Sequence, residues 1–248
     1  MLTAADLRTY VINLPRRTDR RERMRAVLPS ELRATFTSDW NGPFDGHQLT
    51  RGELDTAGYR LFPWQDTTSE NPWWNRPLKY GEIACTLAHH ACWSHARDYG
   101  SEPYILILED DAVPVPRFVE TLLEQLHRTA EYRCIELLYL GRDALGPDMP
   151  VRPGVVEPGY SHCTYGYVLS RAALDAVLDA HVEQALVPVD EFLPALYHNH
   201  PRADLRERFP RRLKALAFEP PLVTQLPKEE AGSDTENSPF VDDPRPVR

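Results

Sequence analysis

The sequence lacks any apolar run approaching the ~18–20 residues that a membrane-spanning helix needs. Its four cysteines, Cys85, Cys92, Cys134 and Cys163, show no zinc-type CxxC pairing. No segment repeats itself along the 248 residues. An excess of positive charge is also missing. Lys plus Arg is 28 against 37 Asp plus Glu, a net charge of −9. That balance argues against general nucleic-acid or anionic-membrane binding as the main role, so no nucleic-acid partner and at most peripheral membrane association are expected. The start, MLTAADLRTYVINL, carries no basic region followed by a long apolar stretch. With thiols read as reduced, a cytoplasmic protein is expected.

Hydrophobic residues make up 42% and charged residues 26%, enough to build a core. The length suits one large α/β domain or two small ones, and nothing in the pattern requires two. The charge is uneven: Arg16 to Arg25 is basic and Glu229 to Asp243 is acidic. The 23 prolines imply many defined loops rather than a helical bundle.

The chain is organised around Tyr-Ile-Leu-Ile-Leu-Glu-Asp-Asp, residues 104–111. Five apolar residues in a row suit a strand covered on both faces. Glu109, Asp110 and Asp111 then sit at its C-terminal end, where open α/β sheets bind ligands. Adjacent carboxylates repel, and a divalent cation such as Mn²⁺ or Mg²⁺ relieves that with oxygen ligands. The competing reading is a solvated loop in which Asp110 or Asp111 caps the next helix.

Other elements follow from local pattern. Strands are expected at Thr9–Leu14, Ala34–Ser38, Ile135–Leu140 (ended by Gly141), Thr164–Ser170 and Lys214–Phe218. Helices are expected at Arg16–Leu28, Tyr80–Tyr99, Pro116–Ala130 and Arg171–His181, with a helical turn in Val187–Tyr197. Residues 142–161 read as Pro- and Gly-rich loop, and 59–79 as an irregular aromatic segment. Alternating strands and helices give an α/β fold. Arg16, Arg17 and Arg20 at the first strand-to-helix turn suit a phosphate, although a solvated, salt-bridged helix face is favoured by chemistry alone. Cys85 and Cys92 share a helix face, which points to core packing. His89, His90 and His95 lack an HExxH arrangement, so hydrogen-bonded helix histidines are expected, one of them facing a ligand. Asp190 and Glu191 open a helical turn, where capping is an alternative role for both.

Six stretches in order, VINLPRRTDRRERM (11–24), GEIACTLAHHACW (81–93), ILEDDAV (107–113), LLYLGR (137–142), CTYGYVLSRAAL (163–174) and PVDEFL (188–193), resemble glycosyltransferase family 25, with AFEPPLVTQ (217–225) and GSDTENS (232–238) adding a likeness to its collagen-type members. That family includes bacterial lipopolysaccharide β-galactosyltransferases and collagen hydroxylysine galactosyltransferases. The resemblance implies a GT-A-type, Rossmann-like α/β domain with a mixed central sheet over residues 1–226, followed by a polar acidic tail at 227–248, partly ordered or disordered. It implies inverting transfer of a sugar, expected to be galactose, from a UDP-sugar with Mn²⁺ or Mg²⁺ to a glycan, a lipid-linked saccharide or another hydroxyl-bearing acceptor. Glu109 and Asp111 stand at the DxD position as metal ligands, with Glu109 the departure from that pattern. Asp190 is the implied base, with Glu191 second. Ile12, Asn13, Leu14, Arg17, Arg20, Glu82, His89, Asp110, Ser233 and Asp234 are the implied donor-binding set. Ala88 replaces the Ser of the family's Ser-His pair. A catalytically inactive relative acting as a binding or adhesion module, or a metal-dependent nucleotide phosphohydrolase, is the alternative.

Overall fold

The computed structural model describes residues 1–243, so the last part of the expected tail, 244–248, lies outside the described residues. The strands are β1 (Leu7–Ile12), β2 (Thr35–Phe36), β3 (Tyr104–Glu109), β4 (Ala112–Pro114), β5 (Leu137–Ala144), β6 (Met149–Arg152), β7 (Val155–Glu157), β8 (Ser161–Ser170), β9 (Ala215–Phe218) and β10 (Val223–Gln225). The α-helices are α1 (Thr18–Val27), α2 (Arg51–Thr56), α3 (Tyr80–Tyr99), α4 (Phe118–Ala130), α5 (Arg171–Leu178), α6 (Val189–Tyr197), α7 (Ala203–Arg208) and α8 (Lys228–Ala231). Eight strands form one mixed sheet in the order β2-β1-β3-β8-β5-β9-β7-β6, and β4 pairs with β10 beside it. β1 is parallel to β2 and β3, β5 is parallel to β9, and β8 runs antiparallel between β3 and β5. The mixed α/β architecture expected from the sequence is the one observed.

Both faces of the sheet are covered, which explains why β3 is apolar from Tyr104 to Leu108. Strand side chains alternate between faces. Ile105 and Ile107 join Tyr10, Tyr139 and Tyr167 in a core completed by α3, α5 and α6, including Ile83, Trp93, Leu174 and Phe192. Leu106 and Leu108 join Val11, Leu138 and Val168 on the other face, against Met24 of α1 and Leu122 and Leu126 of α4. Among the described residues no helix is long and apolar enough to cross a membrane.

Two local features depart from the sequence pattern, and a third concerns the tail. Gly141 does not end its strand; β5 continues to Ala144. A Cβ at Gly141 would lie 1.9 Å from the Val223 carbonyl oxygen, so the glycine is there to let β10 cross closely. The loop expected at 142–161 contains the β6–β7 hairpin, turned at Gly154 with φ of +84°. The chain after Pro227 forms α8 and then a strap across the start of α3. Tyr80 N–H donates to Pro239 O at 3.0 Å, and Gly81 N–H donates to the buried Ser238 Oγ at 2.8 Å. These bonds satisfy amides that a helix N-terminus leaves without partners. A Cβ at Gly81 would come within 2.6 Å of Ser238 Oγ.

Candidate active site

Strand direction builds the site. β1 and β3 are parallel with Ile12 opposite Glu109, so the chain leaves both strands at the same sheet edge. β8 runs the other way, which brings its N-terminal residues, His162 to Thr164, to that edge. The first turn of α6 closes the space. The result is one cavity of about 400 Å³ lined by residues from every one of these segments and from the strap. All the residues expected at the site line it except Arg17 and His89.

The three acids after β3 divide sharply. Neither Asp110 nor Asp111 caps a helix, because α4 begins only at Phe118. Asp110 is fully engaged: Arg20 Nη1 donates to its Oδ1 and Asn13 Nδ2 to its Oδ2, both at 2.7 Å. Asp111 receives one bond, from Gln225 Nε2 at 3.1 Å, and its buried Oδ1 has no hydrogen-bond partner. Burial, with Glu109 and Asp110 alongside, pushes the Asp111 carboxyl up to about 7. Glu109 accepts from Thr164 Oγ1 at 2.6 Å and has His89 Nε2 3.5 Å away. Burial raises its carboxyl, but His89 and the Thr164 hydroxyl hold it below its ordinary value. A crowded, partnerless carboxylate oxygen beside a second carboxylate fits a hard divalent cation, so Asp111 with Glu109 suits the expected Mn²⁺ or Mg²⁺.

The basic turn is anchored by acids of the chain itself. Arg16 pairs with Asp45 at 2.9 Å and with Asp234 at 2.7 Å, and Arg17 pairs with Asp234 at 2.7 Å. Arg20 also donates to the carbonyls of Ala231 and Gly232 at 2.9 and 2.8 Å. Ser233 Oγ accepts from Glu236 N–H at 3.1 Å. The strap therefore lies over the arginines, with Asp234 bridging Arg16 and Arg17 and standing 4.0 Å from Arg20. Glu82 accepts from the Lys79 amide at 2.7 Å, a capping contact, and from Arg76 Nη1 at 3.1 Å. His89 is buried behind the cavity wall, its Nδ1 2.8 Å from the Tyr167 hydroxyl.

Asp190 and Glu191 differ just as strongly. Glu191 is buried and ringed by donors: Trp74 Nε1 at 2.8 Å, the Tyr160 hydroxyl at 2.7 Å and His200 Nε2 at 2.7 Å, with His162 Nε2 at 3.3 Å. Burial would raise its carboxyl, but the contacts from His162 and His200 hold it far below the usual carboxylate range. Against burial, Glu191 and Asp190 raise His162 above its ordinary value. Glu191 is therefore occupied by side chains from three other segments rather than by the amides of its own helix. Asp190 faces the cavity. Burial pushes its carboxyl to about 6 against the pull of His162, with Glu191, Glu82 and Glu109 adding to the rise.

Sequence reasoning named the Trp73–Trp74 segment only as a shaper of an acceptor pocket, and did not single out Tyr160, His162, Thr164, His200 or Gln225 as site residues. All but His200, nine positions from Glu191, contact an acid distant in the chain; Trp74 and Glu191 are separated by 117 positions. Thr164 and Gln225 fall in stretches that carry the family resemblance, whereas Trp74 and Tyr160 offered only their composition, in segments read as irregular or loop.

The family model described as glycosyltransferase family 25 (LPS biosynthesis protein) matches residues 6–144. Procollagen galactosyltransferase 1 of Danio rerio is 32% identical, over 92% of this chain and 38% of that protein. Procollagen galactosyltransferase 2 of Homo sapiens is 33% identical, over 94% of this chain and 38% of its own length. The Homo sapiens protein named inactive glycosyltransferase 25 family member 3 is 34% identical, over 94% of this chain and 40% of its own length. The chain thus spans about two fifths of the length of the curated relatives it matches. A family-model match over more than half of the chain, across β1, α3 and the acids after β3, places this protein in glycosyltransferase family 25.

Proposed function

We propose that this chain is an active, inverting, metal-dependent glycosyltransferase that moves galactose from UDP-galactose to a hydroxyl of a glycan, a lipid-linked saccharide or a similar acceptor. The observation that carries the reading is the pair of under-partnered carboxylates, Asp111 and Asp190, in one cavity. A divalent cation held by Asp111 and Glu109 would supply charge neutralisation for a departing diphosphate. Asn13, Arg20 and Asp110 form a fixed wall that positions the donor. Asp190, with its carboxyl near 6, is ionised at neutral pH and basic enough to take a proton. It removes the proton of the acceptor hydroxyl as that oxygen bonds to the anomeric carbon. The bond to UDP breaks with its electron pair on the leaving oxygen, and the configuration at carbon inverts.

A second reading has a specific ground: a relative of similar identity is named inactive. In this chain both Asp111 and Asp190 are present and reach the cavity, which favours turnover. A screen of UDP-galactose, UDP-glucose and UDP-N-acetylglucosamine with and without Mn²⁺, read as UDP release with candidate acceptors, separates the readings. The expected result is Mn²⁺-dependent, acceptor-stimulated release from UDP-galactose. UDP binding without turnover on any acceptor would favour a binding module. Release indifferent to acceptor would favour a phosphohydrolase.

A further inference from the structure

We propose that Cys85, His89 and Glu109 form a second cation site, one that takes a zinc-class divalent ion rather than the Mn²⁺ or Mg²⁺ suited to Asp111. One ligand atom from each of the three lies within 4.8 Å of the others. Cys85 and His89 stand four residues apart on α3, so both point the same way, toward the end of β3. Ligand atoms around a tetrahedral zinc sit roughly 3.3–3.8 Å apart, given metal–ligand bonds of about 2.0–2.3 Å. His89 Nε2 and Glu109 Oε1 are already 3.5 Å apart, and a side-chain adjustment of about an ångström brings in the Cys85 sulfur.

The second observation is the histidine itself. His89 is wholly buried, and its Nε2 makes no full hydrogen bond, only a long 3.5 Å contact with Glu109 Oε1. A buried polar atom left this way calls for an explanation, an unseen ion among them. The ring is held from behind. His89 Nδ1 meets the Tyr167 hydroxyl at 2.8 Å, and that hydroxyl accepts from Trp93 Nε1 at 2.9 Å. Thr164 Oγ1 donates to Glu109 at 2.6 Å. Such outer contacts fix ring orientation and carboxylate position in metal centres. Access is open as well, because Cys85 and Glu109 line the cavity. Sulfur and imidazole select zinc, cobalt or similar ions over magnesium. The cavity side leaves a fourth position for water or a ligand oxygen.

This site does not depend on transferase activity, although the two sites share Glu109. The test titrates chelator-stripped protein with Co²⁺ and follows the thiolate-to-cobalt charge-transfer absorption. A near-ultraviolet band, abolished in Cys85→Ser and unchanged in Asp111→Asn, is expected; His89→Gln should weaken Co²⁺ binding at least tenfold. No band, or a band that survives Cys85→Ser, overturns the proposal. A second measurement needs no variant: residue-resolved alkylation of the native chain. Zn²⁺ should slow labelling of Cys85 severalfold and leave the exposed Cys134 unaffected, whereas Mg²⁺ should slow labelling of neither cysteine. Equal labelling of Cys85 with and without Zn²⁺ also overturns it. Failure of the transferase reading would appear instead as absent UDP release with the cobalt band intact.

Discussion

The cavity has two pairs of neighbouring acids, one at the end of β3 and one at the start of α6, and they are built alike. At each, one carboxylate is tied down and its neighbour is left under-partnered. Asp110 is held by Arg20 and Asn13, and Glu191 by Trp74, Tyr160 and His200. Asp111 keeps a bare oxygen, and Asp190 stands in the cavity with its carboxyl near 6. The pairs differ in what crowds the under-partnered member. Asp111 is raised by burial and two neighbouring acids, against the pull of a permanently charged arginine, Arg20, 3.6 Å from its Oδ2. Asp190 is raised by burial and by Glu191, Glu82 and Glu109, against the pull of a histidine, His162, that can itself titrate. Acidic side chains one residue apart thus stand in different surroundings, which is the basis of the separate roles proposed for them.

The largest effects are expected at the α6 pair. Asp190→Asn should lower kcat by about 10²–10⁴-fold, the usual worth of a general base, and leave thermal stability within about 1 kcal/mol. Glu191→Ala should do the reverse in kind. It strands His200, Tyr160 and Trp74 without their acceptor, and removing one partner of a buried charged cluster costs about 3–5 kcal/mol of stability. Denaturant midpoints and steady-state rates on both variants decide the matter. A Glu191 variant as stable as the native chain, or an Asp190 variant with native turnover, would erase the distinction.

How much of this was legible beforehand depended on distance along the chain. The run at 104–108 and the helix at 80–99 were readable because burial on two faces, or one continuous helix, imprints a local pattern. The acids at 109–111 were readable because a strand end is a place. Which acid of a pair is reactive was not readable from local pattern. Asp110 meets an arginine 90 positions away, and Glu191 meets a tryptophan 117 positions away. The glycine at 141 misled for the same reason: its cause, the Val223 carbonyl, belongs to β10. Cys85 looked like core packing on its helix face, and only the fold set Glu109 beside it.

The β3 pair should show the same division with smaller effects. Asp110→Ala breaks a buried ion pair and should cost about 3 kcal/mol of stability. Asp111→Asn removes a crowded carboxylate and should leave stability unchanged or raise it by about 1 kcal/mol, while abolishing Mn²⁺-dependent UDP binding. Calorimetry of UDP with Mn²⁺ reads the second effect and thermal melts read the first. Unaltered UDP affinity in Asp111→Asn would move the cation elsewhere.

The smallest effect is also the most specific to Asp111. A carboxyl raised from its ordinary value of about 3.9 to about 7 binds its proton more tightly in the folded chain. Its contribution to stability is therefore intact below about pH 4 and is lost as the pH rises toward 7. A cation on Asp111 removes that loss, but only where the group is ionised. Added Mn²⁺ should then stabilise the protein little at pH 5 and clearly at pH 8. At a hundredfold excess over its dissociation constant the gain is about 2.7 kcal/mol, or roughly 5–11 °C in Tm for a chain of this size. Asp111→Asn should flatten the response at both pH values, whereas Asp190→Asn should keep it. A shift of equal size at pH 5 and pH 8 in the native chain would mean that Mn²⁺ binds where no proton competes, and the likeness between the two acid pairs would rest on geometry alone.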